Sequence, residues 1–225
     1  MANDEHTPGT ATARQFASRG FVPLRGFLAP DWLHFARDYA LRQQLARPAF
    51  SVIRSSSGKP LHQVYGDGFM DSLLARMRPE VERASGLSLL PTFSQYRIYR
   101  PGEGQRIHLD RPSCEVAVTL NLALSGAKDW PIWMDSEPVL LKPGDGALYH
   151  GLSVPHGRDP LEATRGGYSV QLMLFYVDAD GPYADLLKFD ARPGLAFPRE
   201  TRDTTRLERA KAIADANVRD ARGAD

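Results

Sequence analysis

The sequence predicts a mainly β domain with flanking helices (α+β), and three observations carry that reading. Between Pro91 and Asp178, short β-rich runs are broken by Pro-Gly and Gly-Asp turns, the pattern of a sandwich or barrel. Two stretches with apolar residues at helical spacing precede this region and a highly charged one follows it. With 225 residues, 42% of them apolar and 24% charged, the chain can bury roughly 70% of its unfolded surface. One domain with short appendages is expected.

In chain order, residues 1–12 lack an apolar face and read as a tail. Residues 13–90 read as a strand and helices packing on the core, 91–180 as the core itself, and 181–225 as an extension carrying a surface helix. Phe21 to Phe27 suggests a short strand ending in a turn. Ala29-Pro30-Asp31 then opens a helix, with Trp32, Phe35, Ala36 and Tyr39 on one face, running to about Leu45. A second helix is marked by Met70, Leu73, Leu74, Met77 and Val81, with Gly86 as its stop. The candidate strands are Phe93–Arg100, Glu115–Leu124, Pro131–Met134, Pro138–Leu141, Gly146–Tyr149 and Tyr168–Val177. The last is almost wholly apolar, as a strand buried on both faces would be. In the Glu115–Leu124 run, Val116, Val118, Leu120 and Leu122 alternate with Ala117, Thr119, Asn121 and Ala123, one bulky greasy face and one small, more polar face. The second face suits either a barrel lumen or solvent. Arg202 to Ala221 carries a thin stripe of Leu207, Ala210, Ala214 and Val218, suited to a surface helix or to a second subunit, so a homodimer is conceivable.

The 28 Lys+Arg against 27 Asp+Glu leave a formal charge of +1, which argues against nucleic acid as the partner. The lone Cys114 makes neither an intramolecular disulfide nor a multi-cysteine zinc site, and packing is its expected role. No apolar run approaches the ~18 residues of a membrane span, and the beginning of the chain is polar and acidic. A soluble, cytoplasmic protein without membrane partners is expected.

The six histidines are His6, His34, His62, His108, His150 and His156. His6 sits in the tail, His34 among apolar residues of the first helix, and His62 without an acidic or histidine neighbour at ligand spacing. The remaining three fall in the β-rich half. In His108-Leu109-Asp110 an extended backbone projects residues i and i+2 to the same side, so imidazole and carboxylate can take adjacent positions on one ion. His156 lies about a hairpin further on. Two histidines and a carboxylate leave part of a metal's coordination sphere open, the arrangement of a non-haem Fe(II) centre. A metal-free Asp–His hydrogen bond is the alternative.

From Pro91 to Asp178 the chain resembles the Fe(II)/2-oxoglutarate-dependent dioxygenases. The matching residues are Tyr99-Arg100-Pro101-Gly102, His108-Leu109-Asp110, Pro143-Gly144-Asp145-Gly146-Ala147-Leu148-Tyr149 and Pro155-His156, in that order. Gly20-Phe21-Val22-Pro23-Leu24-Arg25-Gly26-Phe27-Leu28 also looks like the opening strand common in these enzymes, and Tyr176 to Pro182 like a bacterial hydroxylase subgroup. The resemblance implies a double-stranded β-helix (jelly-roll or cupin-like) core, with His108, Asp110 and His156 binding Fe(II). His150, directly after the strand residue Tyr149, is the rival second histidine. The resemblance also implies 2-oxoglutarate and O2 as cosubstrates and hydroxylation with release of succinate and CO2, while the compact core and short connections favour a small polar metabolite as substrate. Asp110 fills the position that related halogenases leave without a carboxylate, which favours hydroxylation.

The far carboxylate of 2-oxoglutarate needs a cation in a half-buried pocket. Arg165 fits by its distance past His156, although two glycines separate it from the final strand. Arg158, at i+2 from His156, can face the same interior. Arg97 and Tyr99 share one face of the first core strand, where relatives hold the cosubstrate. Thr119, Asn121 and Trp133 are candidates for the substrate pocket, with Trp130 and Trp133 equally readable as core. The alternatives are a non-catalytic cupin-like metal-binding or sensing module, and a protein- or nucleic-acid-directed oxygenase of the same superfamily.

Overall fold

The computed structural model describes residues 10–46, 52–54 and 60–223, so His6 lies outside the described residues. Helix α1 (Ala11–Arg19) starts inside the segment expected to be tail. The Thr10 hydroxyl accepts the Ala13 N–H at 3.1 Å and caps it. Only Ala13 and Phe16 of this helix are buried, too few apolar positions to reveal a face in the sequence. Strand β1 (Phe21–Leu24) ends in the expected turn at Arg25-Gly26, where Gly26 has φ +56°. Helix α2 (Pro30–Ala46) follows. Strands β2 (Val52–Arg54) and β3 (Pro60–Tyr65) were not expected; in β3, His62 and Gln63 interrupt the apolar alternation by which strands are recognised.

Helix α3 (Gly68–Ser85) begins where the Asp67 carboxylate accepts the N–H groups of Phe69 and Met70. It ends where Gly86, at φ +76°, donates to the Glu82 carbonyl. All five residues of its expected apolar face are buried. The next strands are β4 (Leu89–Tyr99), β5 (Gln105–His108), β6 (Val116–Ser125), β7 (Ile132–Met134), β8 (Glu137–Val139), β9 (Gly146–His150), β10 (His156–Arg158) and β11 (Tyr168–Asp178). The short α4 (Ala184–Leu187) and the terminal α5 (Thr204–Gly223) complete the chain. The stripe of α5 packs within its own chain: Leu207, Ala210 and Ala214 join Tyr183, Leu186 and Leu187 in one apolar cluster. Among the described residues no helix is long and apolar enough to cross a membrane.

The strands form two antiparallel sheets, ordered β1-β9-β6-β11-β4-β3-β2 and β5-β10-β7-β8. Strands β4 to β11 are shared out between the sheets, so that β9-β6-β11-β4 and β5-β10-β7-β8 make the two walls of a double-stranded β-helix. The alternation read in β6 decides which way it faces. Val116, Val118, Leu120 and Leu122 join the large cluster with Phe16, Met70 and Leu74 under the helices. Ala117 joins the smaller cluster between the sheets with Phe93, Met173 and Phe175, and Thr119 and Asn121 are buried rather than solvated. Ala123 belongs to the helix side, because the β6–β11 pairing shifts register between Val170 and Gln171.

Two histidines outside the core sheets' interior make stability pH-dependent. His62 on β3 is buried, and burial holds its pKa below the ordinary imidazole value, with the Arg100 charge adding to the effect. His150, stacked on the Phe16 ring at 4.1 Å between centroids, is depressed by burial as well. The folded chain therefore binds fewer protons than the unfolded one at these sites. Their contribution is present above the unfolded value of about 6.5 and is lost as pH falls through the lower folded values. Urea midpoints are expected to fall on acidification from pH 7.5 to 5, and His62→Gln to flatten part of that slope. An unchanged slope in the variant would contradict the assignment.

Candidate metal centre

Strands β5 and β10 lie side by side and antiparallel, with His108 opposite His156. Cross-strand neighbours project to the same face, and the two imidazole centroids are 4.4 Å apart. Asp110, two residues past His108, is fixed by its backbone N–H, which donates to the Gly151 carbonyl at 2.8 Å. Its Oδ1 lies 3.5 Å from His108 Nε2 and its Oδ2 3.6 Å from His156 Nε2. One ligand atom from each of the three residues falls within 4.8 Å of the others.

The orientation of both rings is set from behind. His108 Nδ1 lies 3.0 Å from the Arg106 carbonyl and His156 Nδ1 2.9 Å from the Val154 carbonyl. A carbonyl only accepts, so each Nδ1 carries the proton and each Nε2 lone pair points at the centre. The Gln105 side-chain nitrogen, 3.1 Å from His108 Nε2, is placed to donate to that lone pair. Asp110 Oδ2 is buried and has no hydrogen-bond partner. Asp110 Oδ2 and the His156 Nε2 lone pair are thus acceptors facing no donor, and only the Gln105 amide approaches the His108 lone pair; a divalent cation with N and O preferences is what such a set fits.

The two imidazoles differ in proton affinity for a physical reason. The Asp110 carboxylate raises the His108 pKa despite burial, because the His108 side chain keeps 33% of its exposure. Burial dominates at His156, whose side chain is 5% exposed, and lowers its pKa although Asp110 opposes the shift. Gly151 is required by close packing: a Cβ there would lie 2.1 Å from the Cys114 carbonyl oxygen and 2.8 Å from Asp110 Oδ2. Gly151→Ala is expected to displace Asp110 and lower divalent-metal affinity by roughly tenfold or more, measured by calorimetric titration. Affinity equal to that of the unaltered protein would contradict this.

The three residues open on a cavity of about 310 Å³ whose wall includes Arg97, Tyr99, Thr119 and Arg158. Arg158 is buried, and its guanidinium lies 4.7 Å from the Trp130 ring centroid. It donates to the Trp130 carbonyl and to Gln171 Oε1, each at 2.9 Å. No carboxylate among the described residues comes within ion-pair distance of it. Burial pulls its pKa down to about 10, which leaves a cation at neutral pH with only neutral partners. Such a group is poised for an incoming anion.

Three expected site residues lie elsewhere. Arg165 is exposed in the turn before β11, which the Gly167 N–H closes by donating to the Thr164 carbonyl at 2.8 Å, and it does not line the cavity. Asn121 is buried, but its amide is engaged with the Leu141 carbonyl at 2.7 Å and with Gln171 at 3.2 Å rather than with the cavity. Trp133 is half-buried outside the cavity, and its N–H donates to the Asp159 carboxylate at 2.6 Å. His150 stacks on Phe16 and His34 is exposed on α2. Cys114 is buried and burial pushes its thiol pKa well up, which agrees with a packing role.

The chain superimposes on the non-heme alpha ketoglutarate dependent epimerase SnoN from nogalamycin biosynthesis with a TM-score of 0.62 at 15% identity, covering 75% of this chain and 81% of that one. For EctD from S. alaskensis, solved with 2-oxoglutarate and 5-hydroxyectoine, the TM-score is 0.63 at 12% identity, over 90% and 88% of the two chains. For a Pseudomonas putida prolyl-4-hydroxylase it is 0.54 at 18% identity, over 75% and 97%. The chain has the double-stranded β-helix fold of 2-oxoglutarate oxygenases. No family profile and no curated protein matches it in sequence.

Two features of the site escaped the sequence reading. Gln171, which holds Arg158, is the one polar residue inside the apolar run of β11, and that interruption was the available signal. Arg111 lines the cavity, lies over the Phe93 ring at 4.7 Å and is gripped by both Asp190 oxygens at 2.7 and 2.9 Å. Its partner is 79 residues away in a left-handed stretch, where Phe189, Asp190 and Ala191 have φ of +57° to +59°. Nothing local announces that pairing.

Proposed function

We propose that this protein is an Fe(II)- and 2-oxoglutarate-dependent oxygenase that hydroxylates a C–H bond of a small polar metabolite. The observation that carries the proposal is the unpartnered, buried Asp110 oxygen between two Nε2 lone pairs, on the same cavity as a buried guanidinium with no carboxylate. His108, Asp110 and His156 would hold the metal on one side and leave its remaining positions facing the cavity. Fe(II) bound there would supply the activation of dioxygen and the oxidising power. The residues of the chain do the rest by placement.

Arg158 is suited to bind the far carboxylate of 2-oxoglutarate, since a charge-assisted pair in a buried site is strong and directional. Gln171, the Trp130 carbonyl and the Trp130 ring keep its guanidinium in place. Phe93 and Phe175, with ring centroids 4.6 Å apart, give the cavity an apolar wall that excludes water. No acid–base pair is required of the protein. Solved structures of this fold include an epimerase as well as hydroxylases, so the fold does not fix the outcome. Incubation of the iron-loaded protein with a metabolite panel, 2-oxoglutarate and oxygen tests the proposal. Succinate formed in proportion to a product heavier by one oxygen atom is expected. Succinate formation with no oxidised product from any panel member would count against hydroxylation.

A further inference from the structure

Among the described residues Arg97 has no counter-ion, and it is not needed where Arg158 already serves. It lies on β4 and lines the same cavity as the metal-ligand candidates. Its Nε donates to Gln63 Oε1 at 2.7 Å and its Nη1 to the Tyr99 hydroxyl at 3.2 Å. With the Gln95 amide oriented to satisfy both atoms, Gln95 also accepts from Nη2 at 3.1 Å. Gln63 is held opposite Arg97 by the β3–β4 pairing. All of these partners are neutral, and no carboxylate among the described residues lies within ion-pair distance of Arg97. The five N–H groups of a guanidinium exceed what these acceptors use, so donors are left over for a ligand.

The charge count of the cavity points the same way. Its charged lining residues are Arg97, Arg111, Arg158 and Asp110. Arg111 is neutralised by Asp190 at 2.7 Å. A divalent metal and the two remaining arginines against Asp110 leave three positive charges, and a 2-oxoglutarate dianion removes two. One cation stays unmatched.

We infer that Arg97 is a substrate-recognition residue and that the substrate carries a single negative charge, a carboxylate, which pairs with the Arg97 guanidinium while Arg158 holds the cosubstrate. This rests on the function proposed above and narrows it to carboxylate-bearing small molecules. One unmatched charge suits a carboxylate better than a phosphate dianion, and the planar guanidinium fork suits its two oxygens. Gln63, Gln95 and Tyr99 act as positioning residues that aim the fork.

Calorimetric titrations of the anaerobic Fe(II) protein separate the two arginines. 2-Oxoglutarate is titrated into the unaltered protein, Arg97→Gln and Arg158→Gln. Propionate and benzoate, each beside its uncharged amide, are then titrated into the 2-oxoglutarate complex. Arg158→Gln is expected to weaken 2-oxoglutarate by roughly ten- to a hundredfold, and Arg97→Gln to leave it within about threefold. The carboxylates are expected to bind the unaltered complex more tightly than their amides, and Arg97→Gln to erase that preference while Arg97→Lys keeps part of it. Equal binding of carboxylates and amides by the unaltered protein overturns the inference without recourse to any variant. So does a loss of 2-oxoglutarate affinity in Arg97→Gln equal to that in Arg158→Gln. Failure of the unaltered iron protein to bind 2-oxoglutarate at all overturns the proposed function, and the inference with it.

Discussion

Asp110→Ala is expected to weaken Fe(II) binding by more than about a hundredfold and to abolish 2-oxoglutarate-dependent succinate formation, while leaving the metal-free protein at least as stable as the original. The two halves of this result come from one geometry. Loss of an outer partner of a metal ligand costs about 10–100-fold in affinity, and loss of a ligand itself costs more. In the metal-free chain, however, Asp110 Oδ2 is a buried acceptor without a donor, so removing it relieves a desolvation cost of about 1–3 kcal/mol. The ion-pair distances to the two histidines, 3.5 and 3.6 Å, are too long for strong hydrogen bonds to offset that. Metal titration and thermal melts of the same preparations read both effects. A variant that retains turnover, or one that loses several kcal/mol in its metal-free form, would show that Asp110 is structural.

Asp71→Ala is expected to have the opposite character, a large loss of stability with His108, Asp110 and His156 untouched. Asp71 on α3 is fully buried and accepts four hydrogen bonds. Ser94 N–H and Oγ donate at 2.8 and 2.7 Å, Ala196 N–H at 2.8 Å, and Arg192 Nη2 at 3.1 Å. It therefore ties α3, β4 and the segment after α4 together at one carboxylate. Its partner Arg192 is equally buried, and removing the acid would leave that guanidinium with no anionic partner, only the carbonyls of Thr92, Phe189 and Phe197 and the Tyr65 ring. Breaking a buried pair by deleting one member costs about 3–5 kcal/mol, which for a chain of this size lowers Tm by roughly 6–20 °C. Pairing Asp71→Ala with Arg192→Met should recover part of the loss, since no charge is then stranded. A loss below about 1 kcal/mol in the single variant would contradict the role assigned to the pair.

How much of this was legible in the sequence depended on whether a feature is local. The α3 face and its Gly86 stop are written at spacings of three and four with one glycine, and the structure reproduces them. The two faces of β6 are likewise a period-two pattern, although only packing shows that Thr119 and Asn121 point inward. The His-x-Asp step is local too, but His156 joins it only through the β5–β10 pairing, across strands of three and four residues that carry too little pattern to be recognised. Arg158 was visible as a candidate beside Arg165, and burial separates them: one is enclosed by Trp130 and Gln171, the other lies in an exposed turn. The Asp190–Arg111 and Asp71–Arg192 pairs span 79 and 121 residues, and no periodicity encodes such contacts. Helix α1 was missed because two buried side chains and a threonine cap suffice to dock it.

Anaerobic titration of the Fe(II)-loaded protein with 2-oxoglutarate, followed in the visible region, tests the central claim most directly. A weak metal-to-ligand charge-transfer band that saturates at one cosubstrate per iron, and that is absent in Asp110→Ala, is the predicted result. Iron that binds without any such band, or a band that survives the loss of Asp110, would contradict it.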